Sequence, residues 1–328
     1  MLYPIQFVPR VKERVWGGQR LTELFGKPSL GGVPVGESWE VSDRSGDESV
    51  IANGSLAGRN IRWLLEHHGA EIFGRQVTGA ERFPWLAKIL DARDDLSLQV
   101  HPPAKIAGAL RGEPKTEIWY VAAAEPEAVL YVGLKRGVTR AEFERKIADG
   151  TVAECFHQVK VIPGDVMFLP SGRVHALGKG IVIFEIQQNS DTTYRVFDWN
   201  RAGLDGRPRD LHVAESLISI DFQDFEPSLV SSPWREIAPR ISRRTLVDDT
   251  AFSISLMGYR SGTEFQLGGG TMRLIVCASG ALRLKSSGES MIIPAGGFAL
   301  LPASIETSVS AEIDSQAILV EEPKSGRT

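Results

Sequence analysis

Polar and apolar residues alternate in short runs along most of this chain. Residues 97–101 read Ser-Leu-Gln-Val-His. Side chains two apart share a face of a β-strand, so Ser97, Gln99 and His101 point one way and Leu98 and Val100 the other. Pro102 and Pro103 end that strand. Lys115 and Glu117 alternate in the same way before Ile118, Trp119 and Tyr120. The segment GESWEVSDR, 36–44, sets Ser38, Glu40 and Ser42 against Trp39 and Val41, which predicts a strand with one polar face. Residues 83–102 read as strands with a turn at Asp94-Asp95. Residues 159–188 read as three strands separated by two turns. In the last of them Val182, Phe184 and Ile186 alternate with Ile183, Glu185 and Gln187. A second β-rich region, 240–321, contains FSISLMGYR, RLIVCASGALRLK and QAILVEE. Many short strands with Gly/Pro turns argue for a mainly β protein built as a jelly-roll barrel or double sheet.

Helical spacing is confined to three places. Leu56, Ile61, Leu64 and Leu65 predict a helix within 55–75, capped by Ser55 and stopped at Gly69, with His67 and His68 as surface residues near its end. A second helix is predicted over 139–149, with Thr139 as cap and Gly150 closing it. A short one is predicted in HVAESLISI, followed by a linker containing Pro227 and Ser231-Ser232-Pro233. The expected organisation is a larger unit with helical insertions, 1–238, and a smaller β unit, 239–328. An internal echo supports the second unit: Gly164-Asp-Val-Met-Phe-Leu-Pro170 aligns with Gly296-Gly-Phe-Ala-Leu-Leu-Pro302. After the echo, Thr307 stands where the first copy has His175, so the second unit is expected to hold no metal. The tail PKSGRT is expected to fray.

Composition narrows the function classes. The 328 residues carry a net charge of −4 with no Lys/Arg block, which argues against a nucleic-acid surface. Neither a signal peptide nor a run of roughly 18 to 20 apolar residues for a membrane span is found. Cys155 and Cys277 read as free thiols of a cytoplasmic protein. With no Cys-rich cluster, any metal must be held by histidine and oxygen ligands.

The sharpest motif is GDVMFLPSGRVHALG, 164–178, of the form G-x5-P-x-G-x2-H. It resembles the second signature of the cupin superfamily, with Gly164 and Gly172 as turn residues and His175 on the following strand. The first cupin signature is present in altered form as Gln99-Val-His101 with Glu117 further on. Gln99, His101, Glu117 and His175 offer two nitrogens and two oxygens. That set suits one Zn²⁺ per chain with a position left for water or substrate, and Fe²⁺ or Mn²⁺ would fit as well.

Six longer stretches are more specific: WGG (16–18), GESWEVSDR (36–44), LSLQVHP (96–102), KTEIWY (115–120), PSGRVHALGKG (170–180) and EIQQNSDTTYRVFDWNR (185–201). Together they resemble the type I mannose-6-phosphate isomerases in their short bacterial form, over roughly residues 5 to 220. Longer members carry an additional helical domain, and this chain is too short to hold all of it. The resemblance implies an aldose–ketose isomerase that interconverts mannose 6-phosphate and fructose 6-phosphate through a cis-enediol, with the metal on Gln99, His101, Glu117 and His175. It places Arg195 at the active site, where it stabilises enediolate oxygen or holds the phosphate, unless it forms a structural ion pair with Asp191 or Asp198. It also implies a substrate pocket formed by Trp16, Glu40, Ser97 and Lys115, with Lys115 as acid/base or phosphate partner. The competing readings are a non-catalytic sugar-phosphate-binding or regulatory protein and a different metal cupin enzyme such as an Fe²⁺ dioxygenase. Gln99 in place of a histidine argues against the latter. The expected assembly is a monomer or homodimer.

Overall fold

A computed structural model describes residues 1–286 and 288–323, so all of the C-terminal tail but Pro323 lies outside the described residues. In the first part of the chain the strands are β1 (Arg10–Gly18), β2 (Val35–Val41), β3 (Trp85–Ala92), β4 (Leu98–Val100), β5 (Glu117–Ala124), β6 (Val129–Leu134), β7 (Phe156–Lys160), β8 (Val166–Leu169), β9 (His175–Leu177), β10 (Ile181–Gln188) and β11 (Tyr194–Phe197). The second part continues with β12 (Arg235–Ala238), β13 (Ile241–Asp248), β14 (Ser253–Tyr259), β15 (Thr263–Leu267), β16 (Arg273–Ser279), β17 (Ala281–Ser286), β18 (Glu289–Pro294), β19 (Phe298–Leu301), β20 (Thr307–Ala311) and β21 (Ser315–Glu321). The α-helices are α1 (Arg20–Phe25), α2 (Ile61–Phe73), α3 (Ala104–Ala107), α4 (Arg140–Ala148) and α5 (Val213–Ser219). Among the described residues no helix is long and apolar enough to cross a membrane.

The strands form four antiparallel sheets. The first part gives a six-stranded sheet, β1-β2-β3-β10-β5-β8, and a five-stranded sheet, β11-β4-β9-β6-β7. The second part repeats the plan with β12-β13-β14-β21-β16-β19 and a four-stranded β15-β20-β17-β18. The internal echo falls on equivalent elements, since β8 and β19 are the outermost strands of their six-stranded sheets. The registers match too: Glu117 lies opposite Leu169, as Arg273 lies opposite Leu301. Gln99 lies opposite His175, as Leu267 lies opposite Thr307.

Each pair of sheets encloses its own core. Leu90, Trp119, Leu130, Leu177 and Ile183 meet between the first pair, and Ile275, Leu282, Leu284, Val309 and Leu319 between the second. A third cluster joins the two six-stranded sheets back to back, with Ile118, Tyr120, Val182 and Phe184 against Ile254, Leu256, Leu274 and Phe298. This explains the near-continuous apolar run in β10: both faces are covered, so alternation between oil and water is lost. The N-terminal segment reinforces the joint through paired backbone hydrogen bonds between Ile5 and Leu300.

Local rules place the smaller features. The WGG motif lets β1 and β2 approach closely, because a Cβ on Gly17 would stand 2.4 Å from the backbone nitrogen of Gly36. Helix α4 takes Thr139 as its cap, bonded from the Glu142 N–H, as its sequence predicts. Helix α2 departs from its expected bounds. Residues 54–56 make a separate 3₁₀ turn, Asn60 is the cap that bonds the Trp63 N–H, and Gly74 in the left-handed region ends the helix. Near Gly69 the helix kinks, with His68 at φ −132° and ψ 16°, and then resumes to Phe73; Gly69 is also a packing position, where a Cβ would lie 2.5 Å from Val77 Cγ2.

Strand β2 also departs from its predicted polar face. Both of its faces are buried, and its pairing with β3 shifts register between Trp39 and Val41. Alternation puts Glu40 with Ser38 on the face opposite Glu37 and Trp39, toward Lys27 and the second part of the chain. There Glu40 Oε2 meets Lys27 Nζ at 2.7 Å, Ser38 Oγ donates to Glu40 Oε1 at 2.6 Å, and Lys27 Nζ also donates to the Gly296 carbonyl at 2.8 Å. Burial outweighs the attraction of Lys27 and pushes the Glu40 carboxyl above its usual range. Removing one partner of such a buried pair leaves the other uncompensated, at a cost of ~3–5 kcal/mol, whereas replacing both is tolerated better. Lys27→Met is therefore expected to lower the thermal unfolding midpoint sharply, and Lys27→Met/Glu40→Leu to recover part of the loss. Equal midpoints for wild type and Lys27→Met would show that the pair does not tie the two parts together.

Candidate active site

Three strand ends bring the metal-type donors together. His101 follows β4, Glu117 opens β5 and His175 opens β9, after a turn that Gly172 makes at φ 95°. All three are buried, and their donor atoms lie within 4.8 Å of one another. His175 Nε2 is 3.3 Å and His101 Nε2 3.6 Å from the Glu117 carboxylate. Each imidazole is held from behind: Nδ1–H of His101 donates to the Thr192 carbonyl at 2.8 Å, and Nδ1–H of His175 to the Arg173 carbonyl at 2.9 Å. That fixes the tautomer and turns both Nε2 lone pairs toward Glu117.

The donors carry the charges a divalent cation needs. His101 Nε2 and both Glu117 oxygens are buried without a hydrogen-bond partner, a costly state unless something else satisfies them. Burial, helped by the Lys115 ammonium, lowers the His101 pKa to about 3, so the ring is neutral. Burial alone would raise the Glu117 pKa, but Lys115 and His101 outweigh it and hold the carboxyl well below its usual range. The residues present therefore fit a metal ion: two imidazoles whose Nε2 atoms face one carboxylate, and the Gln99 amide 3.3 Å from His175 Nε2.

Beside this cluster opens a cavity of about 580 Å³ between the two sheets of the first part. Gln99 and Lys115 belong both to its wall and to the donor cluster. Lys115 Nζ stands 3.0 Å from Glu117 Oε2. Burial would lower its pKa, but the Glu117 and Glu185 carboxylates outweigh that and raise it, so the ammonium is fully charged. The six-stranded sheet supplies two further ion pairs. Lys88 Nζ lies 3.3 Å from Glu185 Oε1, and Trp119 Nε1 donates to Glu185 Oε2 at 2.9 Å. Arg14 Nε bonds Glu37 Oε1 at 2.9 Å and Trp39 Nε1 bonds Glu37 Oε2 at 2.6 Å. Burial of Glu37 is outweighed by Lys88 and Arg14, which hold its pKa at about 2.

Arg195 faces the cavity from the other sheet. It lies opposite Gln99 across β11 and β4, and Gln99 lies opposite His175 across β4 and β9, so the three form a row. Its Nε is buried without a hydrogen-bond partner. It makes no ion pair with Asp191 or Asp198; Asp198 is taken by Arg201 and Arg209.

The structure thus brings Trp16, Ser97, Gln99, Lys115 and Arg195 to one cavity, with His101, Glu117 and His175 next to it. Glu40 does not reach the cavity, and Glu37, on the opposite face of β2, stands there instead. Lys88, Glu185, Arg14 and Arg209 also line the wall and were not among the residues marked in the sequence. A signal existed for Lys88 and Glu185. Each is a single charge inside an apolar strand, LAKILDA and IVIFEIQQ, where a charge must find a partner.

Comparison with known proteins agrees with this geometry. The family model described as "Phosphomannose isomerase type I, catalytic domain" matches residues 5–138. A Bacillus subtilis protein described as "Probable mannose-6-phosphate isomerase GmuF" is 34% identical over 308 residues, covering 92% of this chain and 94% of its own. "Mannose-6-phosphate isomerase ManA" of the same organism is 42% identical over 220 residues, 66% of this chain and 68% of its own. The crystal structure of a mannose 6-phosphate isomerase from Bacillus subtilis superposes with a TM-score of 0.87 at 29% identity, covering 97% of this chain and 99% of that one. Likeness at this identity over nearly the full length of both chains, together with the shared fold, makes this chain a member of the type I phosphomannose isomerase family.

Proposed function

We infer that this protein is an aldose–ketose isomerase that interconverts D-mannose 6-phosphate and D-fructose 6-phosphate with one Zn²⁺ per chain. The observation that carries this reading is the buried donor cluster of His101, Glu117 and His175, with unpartnered lone pairs, beside a cavity lined by cations. Gln99 is the fourth candidate ligand. When bound, the metal supplies Lewis-acid polarisation of the sugar's carbonyl and hydroxyl oxygens.

The protein's own groups divide the remaining work. Isomerisation moves a proton between C2 and C1, which needs a base for a weakly acidic C–H and positive charge near the enediolate oxygens. Lys115 Nζ, 3.0 Å from Glu117 Oε2 and at the cavity wall, is placed to donate to those oxygens. Glu185 is the carboxylate we assign to the proton shuttle. Its Oε1 makes no hydrogen bond and is paired with Lys88 at the cavity wall. Glu37, held at about 2 by Lys88 and Arg14, is too weak a base and instead orients Trp39 and Arg14. Arg195, which forms no ion pair among the described residues and whose Nε has no hydrogen-bond partner, meets the anionic part of the substrate. Trp16 and Ser97 complete the wall.

Residues 239–328 are read as a unit without a metal. In matching registers, Leu267 stands for Gln99, Arg273 for Glu117 and Thr307 for His175, which leaves no donor set.

Two experiments test the reading. Fructose 6-phosphate formation from mannose 6-phosphate is expected to disappear on thorough chelation and return with Zn²⁺. Zn²⁺ is also expected to raise the thermal midpoint of the metal-free wild type but not of His175→Ala, because a ligand at 100 times its Kd stabilises by about 2.7 kcal/mol. Activity that survives chelation would remove the metal from the reading. Absence of activity with any metal would leave a sugar-phosphate-binding protein. Lys115→Met and Arg195→Ala are expected to lose roughly 10²- to 10⁴-fold in turnover while keeping Zn²⁺; normal turnover in either would remove that residue from the chemistry.

A further inference from the structure

Arg209 lies on the stretch between β11 and α5 and lines the same cavity as Arg195. Its Nε and Nη2 bond the two oxygens of Asp198, each at 2.6 Å. Asp198 is buried and also receives Arg201 Nη2 at 2.8 Å. Arg201 Nη1 continues to the Asp95 carbonyl, and Trp199 Nε1 donates to the Leu96 carbonyl at 2.7 Å. The stretch is therefore tied to the segment that leads into β4, the strand of Gln99. Trp199 and Asn200 are both held in the left-handed backbone region, at φ 57° and 53°. For residues other than glycine this costs roughly 1–2 kcal/mol each, and it persists only where surrounding contacts enforce it.

The arrangement leaves positive charge over. Arg201 and Arg209 share one carboxylate, and Arg195 has no ion-pair partner among the described residues. A guanidinium that gives its Nε and Nη2 to one carboxylate still presents its Nη1–Nη2 edge, a fork that matches a phosphate. His212, which faces the same cavity, accepts the Arg195 backbone N–H on Nδ1, so its proton is on Nε2 and available to donate. Burial and the nearby Arg209 charge lower the proton affinity of Arg195 more than Asp198, Asp191 and Asp210 raise it, and an anion seated between the two arginines would offset their repulsion. Asp191 and Asp205 also line the cavity. A dianion is thus selected by the local donor fork and not by a uniformly positive wall.

We propose that Arg209, oriented by Asp198, is the residue that selects the phosphate end of the substrate, its open edge joining Arg195 and His212 in one seat for a phosphate dianion. This rests on the isomerase reading and adds the means by which a phosphorylated sugar is told from a free one.

The test compares wild type, Arg209→Lys and Arg209→Met on mannose 6-phosphate and on mannose, with inorganic phosphate as inhibitor. Charge-assisted hydrogen bonds of this kind correspond to about 10- to 100-fold in binding. In Arg209→Met the preference for the phosphorylated sugar is expected to fall by that factor. The inhibition constant of inorganic phosphate should rise in parallel, with KM changing more than kcat, and Arg209→Lys should restore part of the preference. Unchanged phosphate inhibition overturns the proposal, whether activity is kept or is lost equally on both sugars. If Arg209→Met does not fold, Asp198→Asn, which keeps the arginine but loosens it, is expected to raise the KM for mannose 6-phosphate; an unchanged KM would be equally fatal. If the wild type isomerises neither sugar, the isomerase reading falls separately. Calorimetric titration of inorganic phosphate into wild type and Arg209→Lys then decides the seat, with equal affinities refuting it.

Discussion

The buried carboxylate of Glu117 is the constraint around which the first part of the chain is arranged. It is fully enclosed at the start of β5, with one ammonium and two imidazoles around it. An isolated charge in that position would be expelled or neutralised. Three groups keep it ionised and in place: the Lys115 ammonium two residues before it on the same face, and the Nε2 atoms of His101 and His175. Those rings in turn depend on the Thr192 and Arg173 carbonyls, and so on the loops after β10 and β8. A turn at Gly172 and a register between β4 and β9 are thereby linked to the ionisation of one side chain.

The cavity wall follows the same economy. Lys88 with Glu185 and Arg14 with Glu37 are partnered charges fixed by strand register, and the tryptophan N–H groups of Trp119 and Trp39 finish the carboxylates' valence. Such pairs contribute little net stability, because desolvation offsets attraction. What they supply is position. Each head group is held on a strand, where its direction is set by the pleat and not by a flexible loop. Arg195 is the exception: among the described residues it forms no ion pair, and its guanidinium makes only a 3.5 Å contact from Nη1 to the Asp210 carbonyl.

Much of this was readable before any coordinates. Alternation in 97–101 and 115–117 placed Ser97, Gln99, His101, Lys115 and Glu117 correctly, because a period of two is a property of the strand itself. The echo between 164–170 and 296–302 falls on β8 and β19, which hold matching places in their six-stranded sheets. The failures have local causes. Glu40 was placed in the pocket by resemblance; alternation along β2 sets it with Ser38 on the face opposite Glu37 and Trp39, and which face meets the cavity depends on how β2 packs, which one segment does not show. Ser55 and Asn60 are both good caps, and only the contacts of Ile61 and Leu64 decide where α2 begins. Glu37, Lys88 and Glu185 belong together through pairings of strands far apart in the chain, and such register cannot be seen within one segment.

The back-to-back packing of the two six-stranded sheets has a further consequence. Strands β5 and β10 present Glu117, Trp119 and Glu185 on one side and Ile118, Tyr120 and Phe184 on the other. The sheet that shapes the reaction cavity is therefore the same layer that the second part of the chain covers. Cut away, residues 239–328 would leave a broad oily plane on the back of the cavity's own wall, an invitation to self-association. The second pair of sheets thus acts as a shield for that face, and the two parts of the chain can be engineered only as one solubility unit.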